Sequence, residues 1–354
     1  MEAPVIVARP AVEVVEFTDP TISNAGIELI EQDAVRLQSM PLLVRRVIVR
    51  LEAAAVVFHS VTQRVRSRTS AREGLVAYVA FGPETRGTVN GLPIRPGLLL
   101  AAAPGSEARF VTEPDYQSVT VMLRPQDLRA HLVARQREGE FRPPRGVETL
   151  EADIERVRGL FDWGMRLADT AARQPALFNQ RRDLRMAARV ELFETLLETL
   201  RGAQDRDASR SDRTQRSYSL IVKAAEDYAL SHVGDFLHVT DLCKVAAVSE
   251  RTLENAFNKI MGITPVAYLI QVRLHRARKS LLTATEASTT VSAEALNWGF
   301  WHFGEFSRAY RLCFGELPSD TLRRNRSEAQ GLSTGEDGAQ PAGIVAGRPG
   351  FVDT

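Results

Sequence analysis

The chain has 354 residues, 44% hydrophobic and 25% charged, ordinary fractions that exclude pervasive disorder, a collagen and a small disulfide scaffold. At roughly 100–200 residues per domain, two or three domains are expected. Lys and Arg (45) balance Asp and Glu (44), so any surface for a polyanion has to be a local patch.

Cys243 and Cys313 both sit in apolar helical patterns, as small buried side chains of a reducing compartment do. The first twenty residues carry Glu2, Glu13, Glu16 and Asp19 and lack the basic-then-apolar order of a secretory signal. No apolar run approaches the ~18 residues that span a bilayer. A cytoplasmic protein without a membrane partner is expected. The six histidines (His59, His131, His232, His238, His275, His302) share no ligand spacing, so neither a metal nor a cofactor is expected.

In chain order, residues 12–123 read as short strands with turn punctuation: 42–51, 54–65, 75–81, 94–102, 108–111 and 118–123. The pair Asn90-Gly91 between apolar flanks predicts a type I′ hairpin, whose two central residues need positive φ. Close-spaced strands without intervening helices predict an antiparallel sandwich or barrel. From Pro125 the period becomes helical. Pro125 suits a first helical position, and Leu128, Leu132 and Val133 share a face. One apolar stripe follows from Leu150 through Ile154, Val157, Phe161, Gly164 and Leu167 to Ala168. Another runs from Leu184 through Leu192 and Leu196 to Leu200. Two such helices can pack on the β domain or on a second copy of the chain. Residues 202–216, polar and of mixed charge, read as a solvated linker. The domains expected are thus 1–201, a linker at 202–216, a helical domain at 217–326, and a disordered tail at 327–354.

The helical domain repeats itself. Leu253, Phe257, Gly262 and Pro265 recur 53 positions later as Phe306, Tyr310, Gly315 and Pro318. Each copy reads as a short helix, a tight turn and a longer helix. Thr240 and Ser292 are expected to cap the short helices and Ser249 the longer helix of the first copy. Leu253/Phe257 and Phe306/Tyr310 should point inward at i, i+4, with Gly262 and Gly315 as left-handed stops. That is two helix-turn-helix motifs. They are joined by a helical pattern over 265–282, about 27 Å long at 1.5 Å per residue. Recognition helices held near one DNA turn apart, ~34 Å, can enter successive major grooves. No acid occurs between Glu254 and Glu286, where Lys259, Arg273, Arg276, Arg278 and Lys279 fall. This local basic stripe suits phosphate contact.

Ser249-Glu250-Arg251-Thr252-Leu253, Gly262-Ile263-Thr264-Pro265, Arg273-Leu274-His275-Arg276-Ala277-Arg278, Phe306-Ser307-Arg308-Ala309-Tyr310-Arg311 and Phe314-Gly315-Glu316-Leu317-Pro318-Ser319 resemble the C-terminal domain of the AraC family of bacterial transcription regulators. The β zone resembles that family's effector-binding jelly roll through its hairpin pattern and domain order. The resemblance implies an α+β protein: an N-terminal antiparallel β-barrel or jelly roll with appended helices, then an all-α domain of two helix-turn-helix motifs joined by a long helix. It places base-reading positions on Arg251, Glu254 and Asn255 in the first motif and on Phe303, Gly304, Ser307 and Arg308 in the second. Arg pairs with guanine, Glu accepts from the cytosine amino group and Asn pairs with adenine. Phosphate contacts are expected from Ser249, Thr252, Lys259 and Arg311. Where this chain has Glu254 and Asn255 the family often has Gln and Arg, which implies an unusual half-site.

The function so implied is an effector-responsive, sequence-specific regulator, an activator by the family's habit. Its partners would be promoter DNA, a small-molecule effector, RNA polymerase and a second copy in a homodimer. Two other classes stay open: a cupin-like β-barrel enzyme fused to a DNA-binding module, for which only His59 stands in the strand region, and a regulator that answers to a protein partner. Phe58, Tyr78, Phe81 and Phe110 could line a pocket or simply fill the core, so effector-binding residues are left unassigned. Trp298 and Trp301 are expected to pack, and Arg273 to pair internally, tying the long helix to the first motif.

Overall fold

The computed structural model describes residues 10–19, 29–38, 42–205, 210–232, 237–284 and 289–324. The tail expected at 327–354 and the first nine residues lie outside the described residues.

Two antiparallel sheets face each other. The larger runs β1 (Val12–Phe17), β3 (Val44–Arg50), β4 (Ala54–Val61), β11 (Tyr116–Leu123), β6 (Val76–Phe81), β9 (Leu98–Ala102), β12 (Val147–Glu151) and β13 (Gln204–Asp205). The smaller runs β2 (Ile30–Arg36), β5 (Val65–Ala71), β10 (Glu107–Thr112), β7 (Gly87–Val89) and β8 (Leu92–Pro93). Asn90 and Gly91 turn the β7–β8 hairpin at φ 48° and 78°, both left-handed as a type I′ turn requires.

The long apolar runs of the β zone follow from burial of the large sheet on both faces. On β4, Val56 and Phe58 point outward to a helical layer, while Val57 and His59 point inward. The helical layer is α1 (Pro125–Val133), α2 (Ile154–Arg173), α3 (Pro175–Gln180) and α4 (Arg182–Leu200). From α2, Val157, Leu160, Phe161 and Ala168 join one core with Leu192, Phe193, Leu196 and Leu197 of α4 and with the sheet. Of the two partners expected for these stripes, they pack on their own β domain. Leu150 is not part of the first stripe; it stands on β12, paired with Leu99 of β9, and α2 begins only after Asp153 caps it.

The helical domain holds α5 (Arg210–Ser231), α6 (Val239–Ala246), α7 (Glu250–Ile260), α8 (Pro265–Thr283), α9 (Val291–Asn297) and α10 (Phe303–Phe314), with a last helical stretch at 318–324. The stretch read as linker therefore contains β13 and the start of α5. Ser249 caps α7 as expected, accepting from the Thr252 amide. The other two caps fall two residues earlier than expected: His238, not Thr240, is the N-cap of α6, its amide donating to Asp241 Oδ2, and Thr290, not Ser292, caps α9 by accepting from the Ala293 amide. Gly262 (φ 68°) and Gly315 (φ 80°) end α7 and α10 in the left-handed region. The connecting helix α8, 19 residues, is about 28 Å long.

Candidate nucleic-acid interface and sensor cavity

Leu253, Ala256, Phe257 and Ile260 are buried along one side of α7, packed with Val222 and Ala225 of α5 and Tyr268 and Val272 of α8. That leaves Arg251, Glu254 and Asn255 exposed on the opposite side. In the second motif Phe306, Tyr310 and Cys313 are buried against Leu274, Ala277 and Leu281 of α8. Phe303, Gly304 and Arg308 are exposed and Ser307 half-buried. The residues expected to touch phosphate lie around the same faces: Ser249, Lys259 and Arg311 exposed, Thr252 half-buried. The apolar stripe of each helix thus fixes which side chains face out.

Several neighbours differ from expectation. Trp298 packs, its Nε1–H donating to Ser280 Oγ at 3.2 Å, but Trp301 is 62% exposed beside Phe303 at the entrance to α10. The turn between α9 and α10 carries Trp301 outward because Phe300 takes the inward place against Phe306, ring centres 4.9 Å apart. Arg273 does tie α8 to the first motif, through the Leu237 carbonyl at 3.5 Å instead of a carboxylate.

A cavity of about 80 Å³ lies between the two sheets of the β domain. Of the four aromatic residues singled out, only Phe110 lines it; Phe58 and Tyr78 face the helical layer, and Phe81 packs in the sandwich core. Its polar wall includes Gln32, Arg46, His59, Ser67, Thr69 and Ser118. Arg46, buried in an apolar run, donates from Nε to His59 Nδ1 at 3.0 Å and from Nη2 to Gln32 Oε1. Burial lowers the Arg46 guanidinium to about 10. Burial, and then the Arg46 charge, holds His59 well below its ordinary value, so His59 is a neutral acceptor. The charge within 42–51 and the hydroxyls alternating along 65–71 were the legible signs of this wall. Among the described residues no three His, Cys, Asp or Glu side chains gather as a metal site, and no helix is long and apolar enough to cross a membrane.

A helix-turn-helix domain model matches residues 242–324. The C-terminal region is an AraC-type helix-turn-helix domain. Among curated proteins, the chain is 40% identical over 103 residues to a probable thc operon regulatory protein of Rhodococcus erythropolis, covering 29% of this chain and 31% of that one. It is 40% identical over 87 residues to a XylDLEGF operon transcriptional activator of Pseudomonas putida, covering 25% and 27%. The chain therefore spans under a third of the length of these relatives. A solved structure described as a probable AraC family transcriptional regulator from Rhodopseudomonas palustris is 37% identical, covering 30% of this chain and 97% of that one, with a TM-score of 0.29.

Proposed function

We propose that this protein is a sequence-specific DNA-binding transcription regulator whose β domain senses a small molecule. The observation that carries the reading is the pairing of two helix-turn-helix motifs, each with its apolar side held by α8 and its base-reading candidates turned outward. The mixed polar and apolar cavity between the sheets suits a small effector. A relative named as an operon transcriptional activator favours an activator; action in the cytoplasm and contact with RNA polymerase are part of the proposal. A homodimer belongs to the proposal. With most of the stripes of α2 and α4 covered, Ile154 on α2 and Met186 and Val190 on α4 are among the exposed apolar side chains available to it.

The test is retention of genomic fragments by the full-length protein at near-physiological salt, followed by sequencing. A few promoter fragments sharing two half-sites about one helical turn apart are expected. Uniform retention of all fragments, or none with and without a small-molecule extract, would refute the reading.

A further inference from the structure

The two motifs close their turns in the same way. The amide of Val248 donates to the Cys243 carbonyl at 3.1 Å, and that of Phe300 to the Ala295 carbonyl at 2.8 Å. The residue before each, Ala247 (φ 53°) and Gly299 (φ 78°), is left-handed, and Val248 and Phe300 each pack against the core of their own motif. Up to this point the copies match at an offset of 52. The recognition helices start at an offset of 53, with Ser249 as N-cap of α7 and His302 as N-cap of α10. The residue that makes up the difference is Trp301. The first motif makes the same turn without it, so the turn does not require it, and its side chain stands 62% exposed.

The helix that follows departs from the first copy in the same direction. Where α7 opens with Glu250-Arg251, α10 opens with Phe303-Gly304. Phe303 is 43% exposed. A Cβ built on Gly304 would meet nothing within 4 Å, and its φ is not left-handed, so neither packing nor backbone conformation requires a glycine there. Glycine in a helix costs stability relative to alanine. What it provides is a notch beside Phe303, on the face that Ser307, Arg308 and Arg311 continue over the next two turns.

A single exposed apolar side chain is ordinary. Two aromatic side chains on either side of the N-cap of one helix, with a bare position next to them, gather apolar surface at one point. That point is the end of a recognition helix whose residues meet base edges. The rest of α10 carries Arg308 and Arg311 against Glu305 alone, a balance that suits a polyanion. Within a major groove the apolar group on offer is the 5-methyl of thymine, since the other base edges present donors and acceptors.

We propose that the entrance to α10 is a thymine-reading surface, in which Trp301 and Phe303 flank the notch at Gly304 and enclose a thymine methyl group. The two motifs then read by different chemistry: the first through the hydrogen-bonding side chains of Arg251, Glu254 and Asn255, the second through a methyl contact beside Arg308. This rests on the DNA-binding reading.

The test uses the full-length protein and one retained promoter fragment, synthesised with thymine or, one position at a time, with deoxyuridine, which pairs alike and lacks only the methyl. The wild type should lose about fourfold in affinity for each enclosed methyl removed, at one thymine or two neighbouring ones. Trp301→Ala should bind the thymine duplex about as weakly as the wild type binds the deoxyuridine one, and no longer distinguish the two at that position. Gly304→Ala, which fills the notch, should bind the thymine duplex more weakly while its melting temperature is unchanged or raised. Equal affinity of the wild type for all the duplexes overturns the inference. A Trp301→Ala protein, folded by circular dichroism, that keeps the wild-type discrimination overturns it too, because the methyl is then read elsewhere. Full affinity of Gly304→Ala for the thymine duplex overturns the notch. Retention of no promoter fragment by the wild type sinks the DNA-binding reading and this inference with it, whereas retention without methyl discrimination sinks this inference alone.

Discussion

The two helix-turn-helix motifs share one design and differ in what lies behind them. The first packs its core into the β domain: Val35, Leu37 and Val111 of the small sheet belong to the same apolar cluster as Phe257 and Tyr268. The second has a core of its own, Phe306, Tyr310 and Cys313 of α10 packed against α8, and meets the β domain through polar contacts. Among the described residues these include an ion pair of Arg278 with Asp19, one of Arg276 with Asp33 at 3.8 Å, an Arg36 bond to the Cys313 carbonyl at 2.5 Å, and the Arg36 amide donating to His275 Nε2 at 3.2 Å. One motif is therefore anchored in the β domain and the other is hung on α8, with directional bonds joining it to the β domain among the described residues. Apolar burial tolerates small shifts, whereas a hydrogen bond is lost with a small change in distance or protonation. The second motif is the one an input can move.

Core truncations should break the comparison most strongly. Phe257→Ala and Phe306→Ala each remove a fully buried ring, which typically costs about 3–5 kcal/mol. Their reach should differ. Phe257→Ala is expected to raise hydrogen exchange in α7, α5 and the outer face of β2 and β10 together, because they share a cluster. Phe306→Ala should loosen α9 and α10 while α7 keeps its protection. Equal spreading from both sites would show that the second core is not separate.

Acid should separate the two attachments. Burial, followed by the nearby Arg36, Arg278 and Arg276 charges and against the pull of Asp19, lowers His275 to about 3 from its ordinary 6.5. The folded chain thus refuses a proton that the unfolded chain takes up below pH 6.5, so stability falls as pH falls from 6.5 toward 3. At the anchored motif burial raises Glu226, but Arg66 and the Tyr268 hydrogen bond outweigh it and leave the carboxyl below its ordinary 4.5. Its contribution is present above pH 4.5 and is lost as pH falls through the lower folded value. Between pH 6.5 and 5 the α8–β2 contact should therefore weaken while the α5–β5 contact holds. Amide exchange of β2 and α5 across that range checks the order, and His275→Gln should flatten the slope between pH 6.5 and 5. A slope that persists in His275→Gln would assign it to another group.

How much of this could be read from the chain depends on what each residue faces. The motifs were legible because two copies repeat the same inward positions, 253/257 and 306/310, and because glycine is the residue best suited to the left-handed stops after α7 and α10. The central strands of the large sheet, β4, β11, β6 and β9, were legible for the opposite reason: buried on both faces, they are largely apolar runs, whereas β12 and β13 at its edge are polar and read as a helical stripe and a linker. β5 gave no such sign. Val65-Arg66-Ser67-Arg68-Thr69-Ser70-Ala71 is polar on both sides, hydroxyls turned to the cavity and guanidiniums turned to α5. A strand whose two neighbours are a polar cavity and another domain has no apolar face to show. Arg46 is no plainer: it is one of three arginines in the run 42–51, and the partners that set it apart, Gln32 and His59, come from other strands.

The smallest effects should come from the recognition faces, and they bear on whether the two motifs read DNA alike. Arg308→Ala should weaken binding to promoter fragments by about 1–3 kcal/mol, as loss of a bidentate base contact does, with little change on random duplex. Lys259→Ala, at the end of α7, should weaken both duplexes alike and reduce the salt slope by about one, as loss of a phosphate contact does. Arg251→Ala is the discriminating variant. Its side chain is as free to reach a base as that of Arg308, but its motif is the anchored one. If its loss on promoter fragments matches that of Arg308→Ala, both motifs engage their half-sites fully once bound. A loss confined to Arg251→Ala would mean that the hung motif stays out of the groove even on DNA, with the anchored motif reading the site alone.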